Sequence, residues 1–301
     1  MRELLLIVTI LLGQLVPNSH FLSQVENKVL TKPQTAATIS AEKLPGAFVA
    51  APIKLSAIDY SATAKASYSV DLISNEVLTS KDADERLQVA SLTKLMTAYV
   101  ILKNEPDLNK EFVVPVLAGQ VGDSVMGLTT GDRLTVRDLL AGLLMNSGSD
   151  AAQTLAANDA GSVTAFVAKM NEAATSLGFT NTHFANPVGW DDAANYSSAK
   201  DLTELARILI RNQTFAEIVS TKTKTITTTA GRVIQLATTN QLLYNPGYIG
   251  IKTGNTNEAG ECLISLYKDG KTEMLTTVIG SSNRFAETDS IKGWILDHFS
   301  W

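Results

Sequence analysis

The hydrophobic pattern of this chain changes period once, at Arg211, and that change limits the folds open to it. Upstream, apolar residues recur at helical spacing over residues 91–103, Val136–Met145, 150–158, 163–177 and 199–211. The first of these segments starts at a capping-type residue, Ser91, and is apolar all round, as a helix buried in a core would be. The last is opened by Ser198 and Asp201 as an acidic variant of the capping box. Downstream, β-branched residues alternate over 223–226, 232–236, 249–253, 261–267 and 273–279, with Lys268-Asp269-Gly270-Lys271 as a hairpin turn. A further hairpin precedes the helices: 66–72 and 76–78 flank Ser74-Asn75, and asparagine tolerates the left-handed backbone such a turn needs. A helix over 286–299 closes the chain. Hairpin, helical block, strands and helix in that order predict an α+β architecture, an antiparallel sheet flanked by helices plus a helical subdomain, rather than alternating βαβ units.

The 301 residues, 45% of them apolar, are enough to bury a substantial core. A net charge of -5, with no Lys/Arg cluster interleaved with aromatics, excludes nucleic acid as a partner. Cys262 is the single cysteine, and His20, His183 and His298 are scattered without ligand spacing, so no disulfide, metal or cofactor is expected. At the amino terminus Arg2 precedes an apolar run over 4–16 and then Pro17-Asn18-Ser19. The run is shorter than the roughly 20 apolar residues of a bilayer-spanning helix and suits a signal-peptide core, yet no small-x-small cleavage site follows it. Residues 1–22 therefore read as a signal peptide or an N-terminal membrane anchor, and both predict export to a periplasmic or other extracytoplasmic space. Residues 23–52, rich in Ala, Thr, Ser, Gln and Lys and containing Pro33, Pro45 and Pro52, read as a linker. The catalytic domain is expected over 53–301, without a further carboxy-terminal β-rich domain.

Three short segments carry chemistry. In Ser91-Leu92-Thr93-Lys94 a helical backbone would put Lys94 beside the Ser91 hydroxyl, with the helix amino terminus adding positive potential where an oxyanion forms. A serine needs a base to take its proton, and a lysine serves when burial holds it neutral; Leu92, Leu95 and Met96 can bury this one. Ser147-Gly148-Ser149 falls in a turn between two helices, and Lys252-Thr253-Gly254 ends an apolar strand, where glycine leaves room for a substrate backbone to pair with the strand edge. The Ser91-to-Lys94 segment alone is weak, because S-x-x-K recurs by chance. S-x-x-K, S-x-N and K-T-G in this order form the signature of class A β-lactamases and penicillin-binding proteins, and only the middle one departs, by one letter.

From about Ala66 onward the sequence resembles the low-molecular-weight penicillin-binding proteins, the serine-type D-alanyl-D-alanine carboxypeptidases. Asn181-Thr182-His183-Phe184-Ala185-Asn186-Pro187, with Gly189 and Asp191, extends the likeness, as do Gly250-Ile251 before Lys252 and Glu258-Ala259-Gly260 before Cys262-Leu263. The resemblance implies a penicillin-binding-protein/β-lactamase-like fold and the roles that go with it. Ser91 is the acylated nucleophile, Lys94 its base, Ser147 a proton relay to the leaving group, Lys252 an electrostatic partner and Thr253 a contact for the substrate's terminal carboxylate. Gly254 and Ser149 line the substrate, and the backbone amides of Ser91 and Asn255 form the oxyanion hole. The implied partners are peptidoglycan stem peptides ending in D-Ala-D-Ala, and β-lactams as covalent inhibitors. Membrane attachment falls to the N-terminal segment.

Ser149 stands where the family has asparagine, so a polar contact to the lysine and to the substrate amide is altered. Two other readings fit the sequence less well. A class A β-lactamase lacks support because no Glu-x-x-Leu-Asn segment, the usual source of the deacylating glutamate, lies between Ser149 and Lys252. A non-catalytic wall-binding protein with a degraded site is opposed by retention of Ser91, Lys94, Ser147 and Lys252 together. His183 reads as part of a structural loop, Cys262 as a buried small hydrophobe, and Asp191 and Asp201 as turn and cap residues.

Overall fold

The computed structural model describes residues 51–121 and 124–301. The leader expected over 1–22 and the linker as far as residue 50 lie outside the described residues. Among those described, no helix is long and apolar enough to cross a membrane.

A short strand β1 (Ile53–Lys54) leads to the hairpin β2 (Ala66–Asp71) and β3 (Val77–Lys81), whose turn holds Asn75 at φ 66. The helical block follows: α1 (Lys94–Asn104), α2 (Val136–Met145), α3 (Ser149–Ala160), α4 (Val163–Ser176), α5 (Ala199–Leu209) and α6 (Gln213–Val219). Within it, β4 (Glu111–Val113) and β5 (Arg133–Thr135) form a small ribbon before α2. Then come β6 (Thr223–Thr227), β7 (Val233–Ala237), β8 (Tyr248–Thr256), β9 (Gly260–Asp269) and β10 (Thr272–Ser281). Helix α7 (Arg284–His298) and β11 (Phe299–Ser300) end the chain, and β11 pairs with β1.

The central sheet is antiparallel throughout, in the order β3-β2-β10-β9-β8, with β8 on an edge. Its two faces are covered by different parts of the chain. Met274 and Val278 of β10 and Leu263 of β9 pack with Ile291 and Ile295 of α7. Leu275, Ile279 and Ile264 face the helical block, where Thr277 meets Thr203 of α5 through hydroxyls 2.6 Å apart. Burial on both faces is why β2 is buried at every position although its residues alternate in polarity.

Three expectations change. Ser91 does not start an α-helix: it sits in a 3-10 turn, Ala90–Thr93, and the α-helix begins at Lys94. Ala90 enters this turn at φ 48, a left-handed conformation that interrupts regular helix on the N-terminal side. The alternating pattern does not begin directly after Arg211, because α6 intervenes, capped by Asn212, whose side chain accepts from Phe215 N at 3.0 Å. Seven residues are too few for a helical period to stand out. Finally, β6 and β7 pair only with each other and lie outside the central sheet.

Candidate active site

The Ser91 turn is held on two sides by glycines. Gly189, at φ +88, lies so close to it that a Cβ there would sit 1.9 Å from the Ala90 carbonyl oxygen. Gly254 on β8 approaches from the other side: an added Cβ would be 3.1 Å from Ser91 N, Val89 O and the Ala90 Cβ. This corrects the expected reason for that glycine. The space it leaves is filled by the chain's own Ala90–Thr93 turn, which brings the edge strand against the Ser91 amide.

Lys94, in the first turn of α1, is 1% exposed, and its Nζ lies 2.9 Å from Ser91 Oγ. The same nitrogen donates to the Val188 carbonyl at 2.6 Å. Asn186 organises that carbonyl: its Oδ1 accepts from the amides of Val188, Gly189 and Trp190 at 3.2, 2.7 and 3.1 Å. Thr97 of α1 donates to Pro187 O at 2.7 Å, and Asn195 Nδ2 donates to Thr93 Oγ1 at 3.1 Å. The 186–195 segment is thus bonded directly to α1 and to the 3-10 turn before it.

A second serine-lysine pair faces the first. Ser147, in a left-handed conformation at φ 58 between α2 and α3, accepts from Lys252 Nζ at 2.9 Å. Lys252 is 1% exposed and also donates to the Thr253 carbonyl at 2.8 Å. Burial holds its proton affinity well below the ordinary lysine range, and the positive charges of Lys94 and Arg284 lower it further. The two lysines are therefore close enough to feel one another's charge.

The remaining sequence-derived residues surround these pairs. Thr253 Oγ1 is 2.6 Å from Thr239 Oγ1. Asn255 is exposed and registers with Glu261 of β9. Ser149 is 2% exposed as the first residue of α3, and its amide donates to Ser124 O at 2.7 Å. Sequence reasoning missed Thr239 and Arg284. Arg284 Nη1 donates to Gly254 O at 2.7 Å, and its Nε is buried without a partner. Neither residue sits in a motif; one belongs to the loop after β7, the other to the first position of α7.

Comparison with known proteins converges on one family. The family model described as D-alanyl-D-alanine carboxypeptidase matches residues 53–283. The chain belongs to this family. D-alanyl-D-alanine carboxypeptidase DacF of Bacillus subtilis is 33% identical over 224 residues, which are 73% of this chain and 58% of that protein. The chain thus spans little more than half of that relative's length. A D-alanyl-D-alanine carboxypeptidase of a Streptomyces species is 38% identical over 246 residues, 75% of this chain and 84% of the relative. The crystal structure of the Streptomyces K15 DD-transpeptidase superposes with a TM-score of 0.74 at 34% identity, covering 80% of this chain and 99% of that one. That of the Francisella tularensis D-alanyl-D-alanine carboxypeptidase DacD gives 0.73 at 25% identity, covering 85% and 75%.

In this carboxypeptidase-family fold the other candidate groups have structural partners. His183 Nδ1 lies 2.6 Å from Ala194 O, and the ring stacks on Tyr196. Burial pushes the Cys262 thiol up to about 11, leaving it un-ionised at neutral pH. Asp201 Oδ2 accepts from Asn181 N and Thr182 Oγ1, and its own amide is capped by Ser198 at 3.1 Å. Asp191 accepts from Glu258 N at 3.4 Å, tying its loop to the turn between β8 and β9.

Proposed function

We propose that this chain is a serine D-Ala-D-Ala carboxypeptidase acting on peptidoglycan stem peptides outside the cytoplasmic membrane, with the N-terminal apolar run as its export signal or anchor. The observation that carries this reading is the pairing of two buried lysines, each 2.9 Å from a serine hydroxyl and each within electrostatic reach of the other. Lys94 takes the Ser91 proton as Oγ attacks the carbonyl of the penultimate D-Ala. The amides of Ser91 and Asn255 receive the oxyanion, and Ser147, backed by Lys252, passes a proton to the leaving amine. Thr253 and Arg284 meet the carboxylate of the departing D-Ala, and Thr239 holds the Thr253 hydroxyl. Water then hydrolyses the Ser91 ester and regenerates the serine.

The same acyl-enzyme can pass its acyl group to an amine, and likeness to a structure named a DD-transpeptidase makes that second outcome worth measuring. Intact-mass spectrometry after benzylpenicillin treatment should show one covalent adduct, mapped to the peptide containing Ser91. Incubation with a diacetyl-Lys-D-Ala-D-Ala peptide should release D-Ala, and adding glycine as acceptor distinguishes transfer from hydrolysis by product mass. A folded protein that forms no adduct and releases no D-Ala would sink the proposal.

Ser149 sets the efficiency of this reaction. Restoring the family's amide by Ser149→Asn is expected to raise the benzylpenicillin acylation rate about tenfold, in keeping with the ~1–3 kcal/mol of one well-placed polar contact. An unchanged rate would remove Ser149 from the account.

A further inference from the structure

Asp150 follows the Ser147-Gly148-Ser149 turn directly and is 1% exposed. It forms no ion pair among the described residues. Its carboxylate instead accepts four backbone amides. Oδ1 takes Met126 N and Ala151 N, both at 2.9 Å, and Oδ2 takes Gly127 N at 2.9 Å and Leu128 N at 2.8 Å. Three of the four belong to a loop distant in sequence. The residues flanking Ser147 hold the same loop: Asn146 Nδ2 donates to Val125 O at 2.6 Å, and the Ser149 amide donates to Ser124 O. Ser147 itself keeps a left-handed backbone, which a non-glycine residue retains only when its surroundings enforce it. Gly148 fits the same junction closely; a Cβ there would be 2.9 Å from Asp150 Oδ1 and 3.3 Å from Met126 N.

We infer that Asp150 is a positioning residue for Ser147: by gathering the amides of 126–128 it fixes the loop that keeps the Ser147 hydroxyl on Lys252 Nζ. The inference rests on the function proposed above. The chemistry requires a carboxylate. An asparagine offers one acceptor atom, and its amide nitrogen would face the N–H groups of Gly127 and Leu128, donor against donor. Two buried amides would then lose their partner and the loop would move away from the turn.

The test is a double-mutant cycle on the full chain, reading the rate of acylation by benzylpenicillin in the wild type, Asp150→Asn, Ser147→Ala and the double variant. Asp150→Asn is expected to lower the rate about 10- to 100-fold, as a displaced catalytic group does. In the Ser147→Ala background the same substitution should change it by less than about twofold, since nothing remains to position. A merely structural role would lower the rate by the same factor in both backgrounds, and that result, or no effect in the wild-type background, overturns the inference. Asp71→Asn is the stability control: that buried carboxylate accepts from Ser74 N at 2.7 Å and from Trp301 Nε1 at 2.9 Å, shares no partner with the site residues, and its loss should leave acylation unchanged. Should Asp150→Asn fail to fold, Asn146→Ala, which cuts another link to the loop, replaces it in the cycle with the same two outcomes. A folded wild type that is not acylated overturns the proposed function and this inference with it; a wild type that is acylated with additive effects overturns the inference alone.

Discussion

Replacing Ser91 by alanine, or Lys94 by arginine, is expected to abolish acylation by benzylpenicillin and release of D-Ala, each by about a thousandfold or more. The two variants fail for different reasons. Ser91→Ala removes the oxygen that forms the ester. Lys94→Arg keeps the hydrogen-bond donors and much of the volume, but a guanidinium cannot give up its proton near neutral pH and so cannot accept one. Lys94 also donates to Val188 O, a contact an arginine can keep, which protects the fold of the variant. Rates are read by intact mass and by a D-Ala assay. If Lys94→Arg retains a tenth or more of the wild-type acylation rate, Lys94 is not the base, and Lys252 takes its place as the candidate.

Gly189→Ala is expected to disable the enzyme without altering any side chain that touches substrate. The new Cβ would overlap the Ala90 carbonyl, at 1.9 Å from its oxygen and 2.4 Å from its carbon, and would reach within 2.9 Å of Ser91 N. Overpacking of this kind together with a left-handed alanine amounts to about 3 kcal/mol of stability. The nucleophile turn must also shift, and about 1 Å of displacement at a reacting atom costs roughly a hundredfold in rate. Gly178 supplies the comparison. It is also left-handed, at φ +76, but a Cβ there meets nothing within 4 Å. Gly178→Ala should cost only about 1 kcal/mol and leave the acylation rate as it is. Equal losses from the two substitutions would mean that backbone strain, and not contact with the Ser91 turn, accounts for the effect.

The legible parts of the fold were those written in local pattern. The turn at Ser74-Asn75 announces itself because few residue types accept a positive φ, and Asn75 adopts one. Helix α2 shows its full extent because its start is a capped, amphipathic boundary, with Thr135 accepting from Asp138 N. The three motif segments gave Ser91, Lys94, Ser147 and Lys252, which the fold joins into two serine-lysine pairs. The illegible parts depend on contacts between distant segments. Ser91 leaves the helix for a 3-10 turn because Gly189 and Gly254 press on Ala90, and neither glycine is near it in sequence. Arg284 reads as an ordinary surface arginine until Gly254 O is found against its guanidinium. Asp150 looks like an N-terminal helix acid, as many helices carry, and only the folded loop reveals four amides on one carboxylate.

Lys252 also has a consequence for endurance. A base whose proton affinity is lowered by folding binds its proton more readily in the unfolded chain. As pH falls below the ordinary lysine range, the unfolded state is therefore favoured, until the folded-state value is reached and the difference stops growing. At neutral pH this buried amine weakens the fold that houses it, whereas an apolar residue of similar size would pack there without that penalty. Heat resistance and turnover pull in opposite directions at this position, so variants selected for survival at high temperature alone would be drawn towards losing the cleft's chemistry first.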